Sequence, residues 1–264
     1  MKRRSRVRAA FALAALVALV VAGGRAAGEI HQDGNVQVTV RGGISPRMLP
    51  RHTKVPVAVH LSGGVRTSDG SPLPRVNRLK LELGWRGRLN TRGLPVCPQV
   101  RLRALASGQA MSACGGSLVG EGVLHAKIFL PGQPSFNIKA NLLAFNGRTK
   151  VGRRAVLIHP YTSDPPTAFV IPFVVHRSDG TFQTVLVTTI RRAVGTWPHV
   201  SRFRISVGRY FRHGGHRQSY LNASCPAPPG FTEGLGSFAR AIYVFAGGGE
   251  SEVESVRGCH THGR

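Results

Sequence analysis

Residues 79–97 read LKLELGWRGRLNTRGLPVC, and residues 137–147 read NIKANLLAFNG. In the first stretch, the leucines from Leu79 to Leu83 alternate with polar residues, which is the period of a strand with one buried face. The second stretch is a further strand candidate, and its final Asn-Gly pair predicts a tight hairpin turn. Both stretches therefore indicate antiparallel sheet.

The rest of the chain repeats this pattern of short alternating or apolar runs joined by Gly- and Pro-rich turns. A loosely helical spacing in residues 100–113 predicts one short helix or irregular turn. The pattern favours an all-β fold, an antiparallel β-sandwich or barrel-like sheet of about ten strands with one or two short helices in the connections. Residues 29–264 are predicted to form a single large β domain, with residues 73–77 as the candidate position for a subdivision.

Residues 1–28 have the composition of an export signal. A cationic start is followed by an apolar run over residues 9–22 and then by small residues up to Gly28. A membrane-spanning helix needs about 20 apolar residues, so this run favours a cleaved signal peptide, with an uncleaved anchor as the alternative. The sequence thus predicts a secreted or cell-envelope protein whose mature chain has no membrane span.

Export makes the four cysteines a predicted disulfide set. Three pairings are possible, and we favour Cys97 with Cys114 and Cys225 with Cys259 because these pairs close the smaller loops. No two cysteines have the C-x-x-C spacing typical of a metal site, so no metal and no cofactor is predicted.

The sequence contains no recognisable catalytic motif, including G-x-S-x-G and H-E-x-x-H. Glu250, Glu252 and Glu254 alternate, which indicates one acidic strand face more than a cation site. The histidine pairs within residues 213–216 and 260–262 supply too few ligands for a metal by themselves. These observations favour a non-catalytic protein.

The chain is strongly basic, with 36 Lys and Arg against 11 Asp and Glu and a formal charge of +25. Loss of residues 1–28 would remove six basic residues and lower the charge to +19. Arginine dominates, a bias that a GC-rich genome would produce, but such a bias does not explain the scarcity of carboxylates. Arginine also suits planar, bidentate recognition of phosphate or carboxylate.

A polyanion-binding surface is the first functional hypothesis. If residues 202–211 and 216–223 pair across Gly214-Gly215, five arginines form a grid on one hairpin. These are Arg202, Arg204, Arg209, Arg212 and Arg217. Such a grid would let an exported, non-catalytic protein associate with an anionic polysaccharide or another anionic cell-wall or extracellular polymer. No nucleic-acid-binding motif is present, and the sequence does not specify an oligomeric state.

Two alternatives stay open. The first is a barrel or sandwich that binds a small apolar molecule in its interior, lined by the apolar strands 140–145, 155–158 and 168–175. The second is a secreted hydrolase with an unrecognised site. The apolar strands would have the same sequence in a filled core, so composition does not decide between these alternatives.

Three strings in the chain resemble a group of uncharacterised secreted proteins of high-GC Gram-positive bacteria. They are RGLPVC at 92–97, LLAFNGR at 142–148 and SYLNASCPAPPGF at 219–231. The resemblance implies export and pairing of Cys97 with Cys114. It implies no activity, cofactor or catalytic residue.

Overall fold

The computed structural model describes residues 29–129, 132–190 and 198–261, so the predicted signal segment lies outside the described residues. The described chain forms nineteen strands and one α-helix, α1 (Ser107–Cys114). The strands are β1 (Glu29–Asp33), β2 (Val36–Ser45), β3 (Val55–Pro56), β4 (Ala58–Thr67), β5 (Val76–Leu83), β6 (Arg88–Leu89), β7 (Cys97–Pro98), β8 (Leu118–Ile128), β9 (Phe136–Arg148), β10 (Arg154–Ser163), β11 (Pro166–Ala168), β12 (Ile171–Arg177), β13 (Thr184–Thr189), β14 (Pro198–Val207), β15 (Tyr210–His213), β16 (His216–Ser219), β17 (Leu221–Ala223), β18 (Glu233–Phe245) and β19 (Glu250–His260). The all-β prediction is confirmed, and the helix begins inside the predicted segment and ends one residue beyond it, at Cys114.

Fourteen strands form one sheet, with the order β1-β2-β4-β14-β8-β9-β10-β12-β13-β5-β18-β19. Strand β11 pairs with β10, and β7 pairs with β9 as the parallel exception to an otherwise antiparallel sheet. The last strand approaches the first ones, since Arg257 Nε donates to the Gly42 carbonyl at 2.8 Å and the Leu49 amide donates to the His260 carbonyl at 2.8 Å. The result is a nearly closed barrel, the second of the two predicted architectures.

Two small sheets lie outside the barrel sheet, β3-β17-β6 and the hairpin β15-β16. Several of the extra strands are two or three residues long, too short for a readable alternation. This explains why a prediction of about ten strands was too low. Trp85 packs edge-on against Phe238, with ring centroids 5.7 Å apart, and its Nε1 donates to the Gly236 carbonyl at 3.2 Å.

Both preferred disulfides are present, Cys97–Cys114 and Cys225–Cys259, with Cα atoms 5.6 and 5.7 Å apart. The first bridge ties β7 to the end of α1. The lobe between these two elements packs Leu102 against the outer face of the barrel, where Phe145 and Leu157 are buried. Two disulfides are consistent with an extracellular protein. Within the described ranges, no helix is long and apolar enough to cross a membrane.

The hairpin turn predicted at Asn146-Gly147 is wrong. Both residues lie inside β9, paired with Val156 and Ala155 of β10, and the chain turns only after Arg148. Asn146 is buried and its Nδ2 donates to the Pro95 carbonyl at 2.8 Å. At position 147 a Cβ would lie 2.7 Å from the Cys97 carbonyl oxygen, so glycine is needed for the close approach of β7. Tertiary contacts, rather than turn chemistry, account for this Asn-Gly pair.

Candidate functional site

The barrel encloses a cavity of about 170 Å³. Side chains from nine strands of the large sheet line it, and almost all of them are aliphatic or aromatic. Leu61, Leu81, Leu142, Ile158, Phe173 and Phe203 represent six of these strands. The lining contains no Asp, Glu, Lys or Arg, so the cavity is suited to an apolar, uncharged molecule.

The alternation read from the sequence places these side chains inside the barrel. Leu81 of β5 lies opposite Leu186 of β13 on one side and Ala241 of β18 on the other. Ile205 of β14 likewise points inward between Leu61 of β4 and β8. All three predicted apolar strand segments contribute lining residues. The period of two therefore generates one continuous apolar wall.

Three side chains of this wall carry a hydroxyl group, namely Thr188, Tyr220 and Tyr243. Tyr243 and Thr188 both line the cavity, with only 3% and 2% of their surfaces exposed. Each lies directly opposite Leu79, from β18 and β13 respectively, so the two occupy one level of the wall. Neither hydroxyl has a hydrogen-bond partner among the described residues. Burial raises the pKa of Tyr243, which keeps its hydroxyl neutral and able to donate.

Sequence reasoning missed both residues. Tyr243 follows Ala241 at strand spacing, which is typical of ordinary packing on the apolar face of a strand. Thr188 lies in the apolar run of β13, where a threonine fits ordinary strand propensity. A polar atom at an inward strand position was the available signal, but the lack of a partner is visible only once the neighbouring strands are in place.

His199 lies at the cavity wall near one end of the barrel. Its Nδ1 donates to the Leu73 carbonyl at 2.5 Å, and its ring packs on Phe129 with centroids 4.6 Å apart. Burial lowers the pKa of His199, and the positive charge of Arg75 lowers it further, although the Leu73 carbonyl opposes the shift. The neutral imidazole is thus favoured, which keeps this end of the cavity uncharged.

A wider groove of about 630 Å³ lies against the same end of the barrel. The groove and the cavity share five lining residues, namely Leu124, Pro160, Ile171, Ile190 and Val200. From this rim the groove follows β12 along the outside of the barrel to His176 and Arg153. The shared rim is the point where a molecule in the groove would meet the interior cavity.

The five predicted arginines do not form one grid. Arg202 and Arg204 are exposed on β14, which pairs with β4 and β8. The hairpin across Gly214-Gly215 exists, but it is the short β15-β16 pair, where Arg212 lies opposite Arg217. Arg209 is half-buried, and its Nη1 donates to the Gly115 and Leu118 carbonyls at 3.2 and 2.7 Å. Because β14 ends at Val207, Arg202 and Arg204 lie in the large sheet and Arg212 and Arg217 in the β15-β16 hairpin, while Arg209 lies in the connection between them.

The barrel wall nevertheless carries a basic surface around Arg202 and Arg204. In register, Arg204 lies opposite Ser62, which lies opposite Arg41 of β2. Arg202 lies opposite His125 of β8, which lies opposite Lys139 of β9. We call the residues Arg41, His125, Lys139, Arg202 and Arg204 the outer basic face. Neighbouring strands are about 4.8 Å apart, so the five side chains share one patch of the wall.

Two of the three predicted acidic residues of β19, Glu252 and Glu254, have local partners. Glu252 forms an ion pair with Arg240 at 3.3 Å, and Glu254 accepts a hydrogen bond from Ser237. Arg240 also pairs with the buried Glu82, and its guanidinium lies over Phe182. In the part of the chain that the structure describes, no group of three His, Cys, Asp or Glu side chains could hold a metal ion.

Comparison of the chain with protein-family models, curated proteins and solved structures finds no match. The interior cavity and the outer basic face are therefore the features from which function is inferred.

Proposed function

We propose that this protein binds a small apolar molecule inside its β-barrel, without catalysing a reaction. The observation that carries the proposal is the apolar cavity at the centre of the barrel, whose lining has no charged carboxylate, lysine or arginine. Apolar cavities of about 150 Å³ bind single aromatic rings such as benzene, and the cavity here is of that size. The expected ligand is thus compact, close to one substituted ring in size.

The volume also sets the scale of affinity. Unfilled cavity volume destabilises a protein by about 24 cal/mol per Å³, which for about 170 Å³ corresponds to about 4 kcal/mol. A ligand that recovered this whole amount would bind with a dissociation constant of about 1 mM, before any polar contact is added. Binding of a purely apolar ring is therefore expected in the millimolar range.

Ligand titration by NMR tests the proposal, with p-xylene as the probe and the oxidised, exported protein as the sample. The expected result is saturable binding that Leu81→Trp abolishes, because the larger ring fills the cavity. Arg204→Gln, a change on the outer wall, serves as the matched control and should bind like the wild type. Thermal unfolding of each variant checks that it folds. Leu186→Phe repeats the cavity-filling test from β13, the strand next to β5.

Saturable binding that survives both cavity-filling substitutions in folded protein would place p-xylene elsewhere and overturn the proposal. Absence of any p-xylene binding up to its solubility would do the same.

A second candidate function is association with an anionic polymer through the outer basic face. The alignment of Arg41 with Arg204 and of Lys139 with Arg202, across consecutive strands, favours it. Outward arginines at this spacing suit the phosphates or carboxylates of an anionic wall polymer or polysaccharide. Glu121 lies further along the same strand face, opposite Ser206, and would set one edge of such a site.

The double variant Arg202→Gln/Arg204→Gln separates this face from general basicity. Its matched control is Arg212→Gln/Arg217→Gln, which removes the same charge from the β15-β16 hairpin. Retention on immobilised heparin-like glycan and on a phosphate-backbone wall polymer, measured from low to high salt, should fall for the first variant and stay near wild type for the second. Equal loss in both variants would show that binding follows net charge and has no site.

Export is part of the same proposal. The signal-like composition of residues 1–28 and the two disulfides support placement in the secreted or cell-envelope fraction. The mature amino terminus of protein recovered from producing cells should begin near residue 29. Recovery in the cytosol with four free thiols would contradict this localisation.

A further inference from the structure

We propose that the ligand of the interior cavity carries one hydroxyl or carbonyl oxygen, and that Tyr243 and Thr188 bind this oxygen by hydrogen bonds. The inference rests on the proposed function and makes it more specific. It assigns the cavity to compact, neutral, mainly apolar molecules with a single polar atom, such as small phenols, cyclic alcohols or ketones.

The argument starts from the two unpartnered hydroxyl groups. A buried polar atom without a hydrogen bond is destabilising, and native proteins contain few of them. Here the two residues that carry such atoms line the same cavity at the same level of the wall, one on each side of Leu79. Because β13 and β18 each lie one strand from β5, the Cα atoms of Thr188 and Tyr243 are about 10 Å apart across the curved wall.

The chemistry of the two groups defines the polar atom of the ligand. Each hydroxyl can both donate and accept, so an alcohol, a phenol or a carbonyl would satisfy it. A charged ligand is disfavoured, because no charged side chain lines the cavity to compensate an ion. The remaining lining is aliphatic and aromatic, so the rest of the ligand is apolar.

The groove supplies a route that fits this assignment. Its rim shares Pro160, Ile171 and Val200 with the cavity, so a small uncharged molecule would pass from an amphipathic surface to an apolar interior. Arg153 and His176 lie at the distant end of the groove, outside the cavity lining. Among the polar side chains that line the cavity, Tyr243 and Thr188 are the ones with a buried hydroxyl that has no partner among the described residues.

A double-mutant cycle between ligand and protein tests the proposal. The ligands are p-cresol and p-xylene, which have nearly the same shape and differ by a hydroxyl in place of a methyl group. The proteins are the full exported chain and its variants Tyr243→Phe and Thr188→Val, which remove one hydroxyl each. Tyr210→Phe, an exposed tyrosine on β15, and Thr53→Val, an exposed threonine outside both the cavity and the groove, are the matched controls.

Each cavity variant should weaken p-cresol binding by about threefold to tenfold, the scale of one hydrogen bond, and leave p-xylene binding unchanged. The two control variants should bind both ligands like the wild type. If both ligands bind and neither cavity variant changes their affinity ratio, the inference is wrong while the proposed function stands. If p-xylene does not bind the wild type, the proposed function itself fails.

Discussion

Replacing Tyr243 by Phe should stabilise the ligand-free protein, against the usual direction of a substitution in a core. Only 3% of the surface of Tyr243 is exposed, and its hydroxyl has no hydrogen-bond partner among the described residues. Leaving a buried hydroxyl unsatisfied costs about 1–3 kcal/mol, and Phe removes that cost while keeping the ring. The free energy of unfolding should therefore rise by about 1–3 kcal/mol, where a typical substitution lowers it by about 1 kcal/mol.

Urea unfolding followed by fluorescence of the buried Trp85 measures this change. In a chain of this size, each kcal/mol should also raise the melting temperature by about 2–4 °C. Tyr210→Phe on the exposed β15 hairpin is the control and should change stability by less than about 0.5 kcal/mol. A loss of 1 kcal/mol or more in Tyr243→Phe would show that the hydroxyl is hydrogen-bonded in the folded protein, and would refute the reasoning.

Three further changes test the fold. Removing the Cys97–Cys114 bridge, which spans 17 residues, should lower the free energy of unfolding by about 3 kcal/mol. Removing the Cys225–Cys259 bridge, which spans 34 residues, should lower it by about 4 kcal/mol. Equal stability in denaturant with and without reductant would contradict both values. Gly147→Ala should destabilise the protein by about 1–3 kcal/mol, because the added Cβ meets the Cys97 carbonyl. Gly152→Ala is the comparison: it has open space around the added Cβ, so its loss of stability measures only the backbone strain of a positive φ. Burial alone would raise the pKa of Glu82, but hydrogen bonds from Lys80 and Arg240 lower it on balance. The ionised Glu82 carboxylate therefore stabilises the fold above pH 4.5, and this contribution is lost as the pH falls through the folded pKa. Over that acidic range, the melting temperature should decline more steeply in the wild type than in Glu82→Gln.

The local pattern of the sequence was sufficient for the longer strands and their inward faces. Leu79 to Leu83 alternate as predicted, and the inward residues of this run line the barrel interior. The disulfides were also predictable, because the shorter loops were the simpler choice among three pairings. These features depend on residues close in sequence, which is where periodicity and loop closure carry information.

The pairing of strands was not predictable in the same way. Strand β5 lies between β13 and β18, each more than a hundred residues away in the chain, and no local signal specifies those neighbours. The Asn-Gly pair at 146–147 misled for the same reason, since its role is to admit β7 beside β9. The grid of five arginines required a single strand over residues 202–211. Strand β14 ends at Val207 instead, which leaves Arg202 and Arg204 on the barrel wall and away from the β15-β16 hairpin.

The candidate site combines both cases. Its apolar lining followed from strand alternation, but the cavity itself depends on barrel closure and on how completely the side chains fill the interior. The isolation of Tyr243 and Thr188 depends on which strands flank them. Sequence periodicity therefore identified the wall, and only the assembled sheet identified the polar atoms on it.

The most direct test of an internal binding site is a methyl-resolved NMR titration of the oxidised protein with p-xylene. Binding inside the barrel predicts saturable shifts in the methyl groups of inward residues such as Leu81, Leu142 and Ile158, with little change at Val123 on the outer wall. Shifts confined to outward methyl groups, or no saturable shift up to the solubility of p-xylene, would contradict the account.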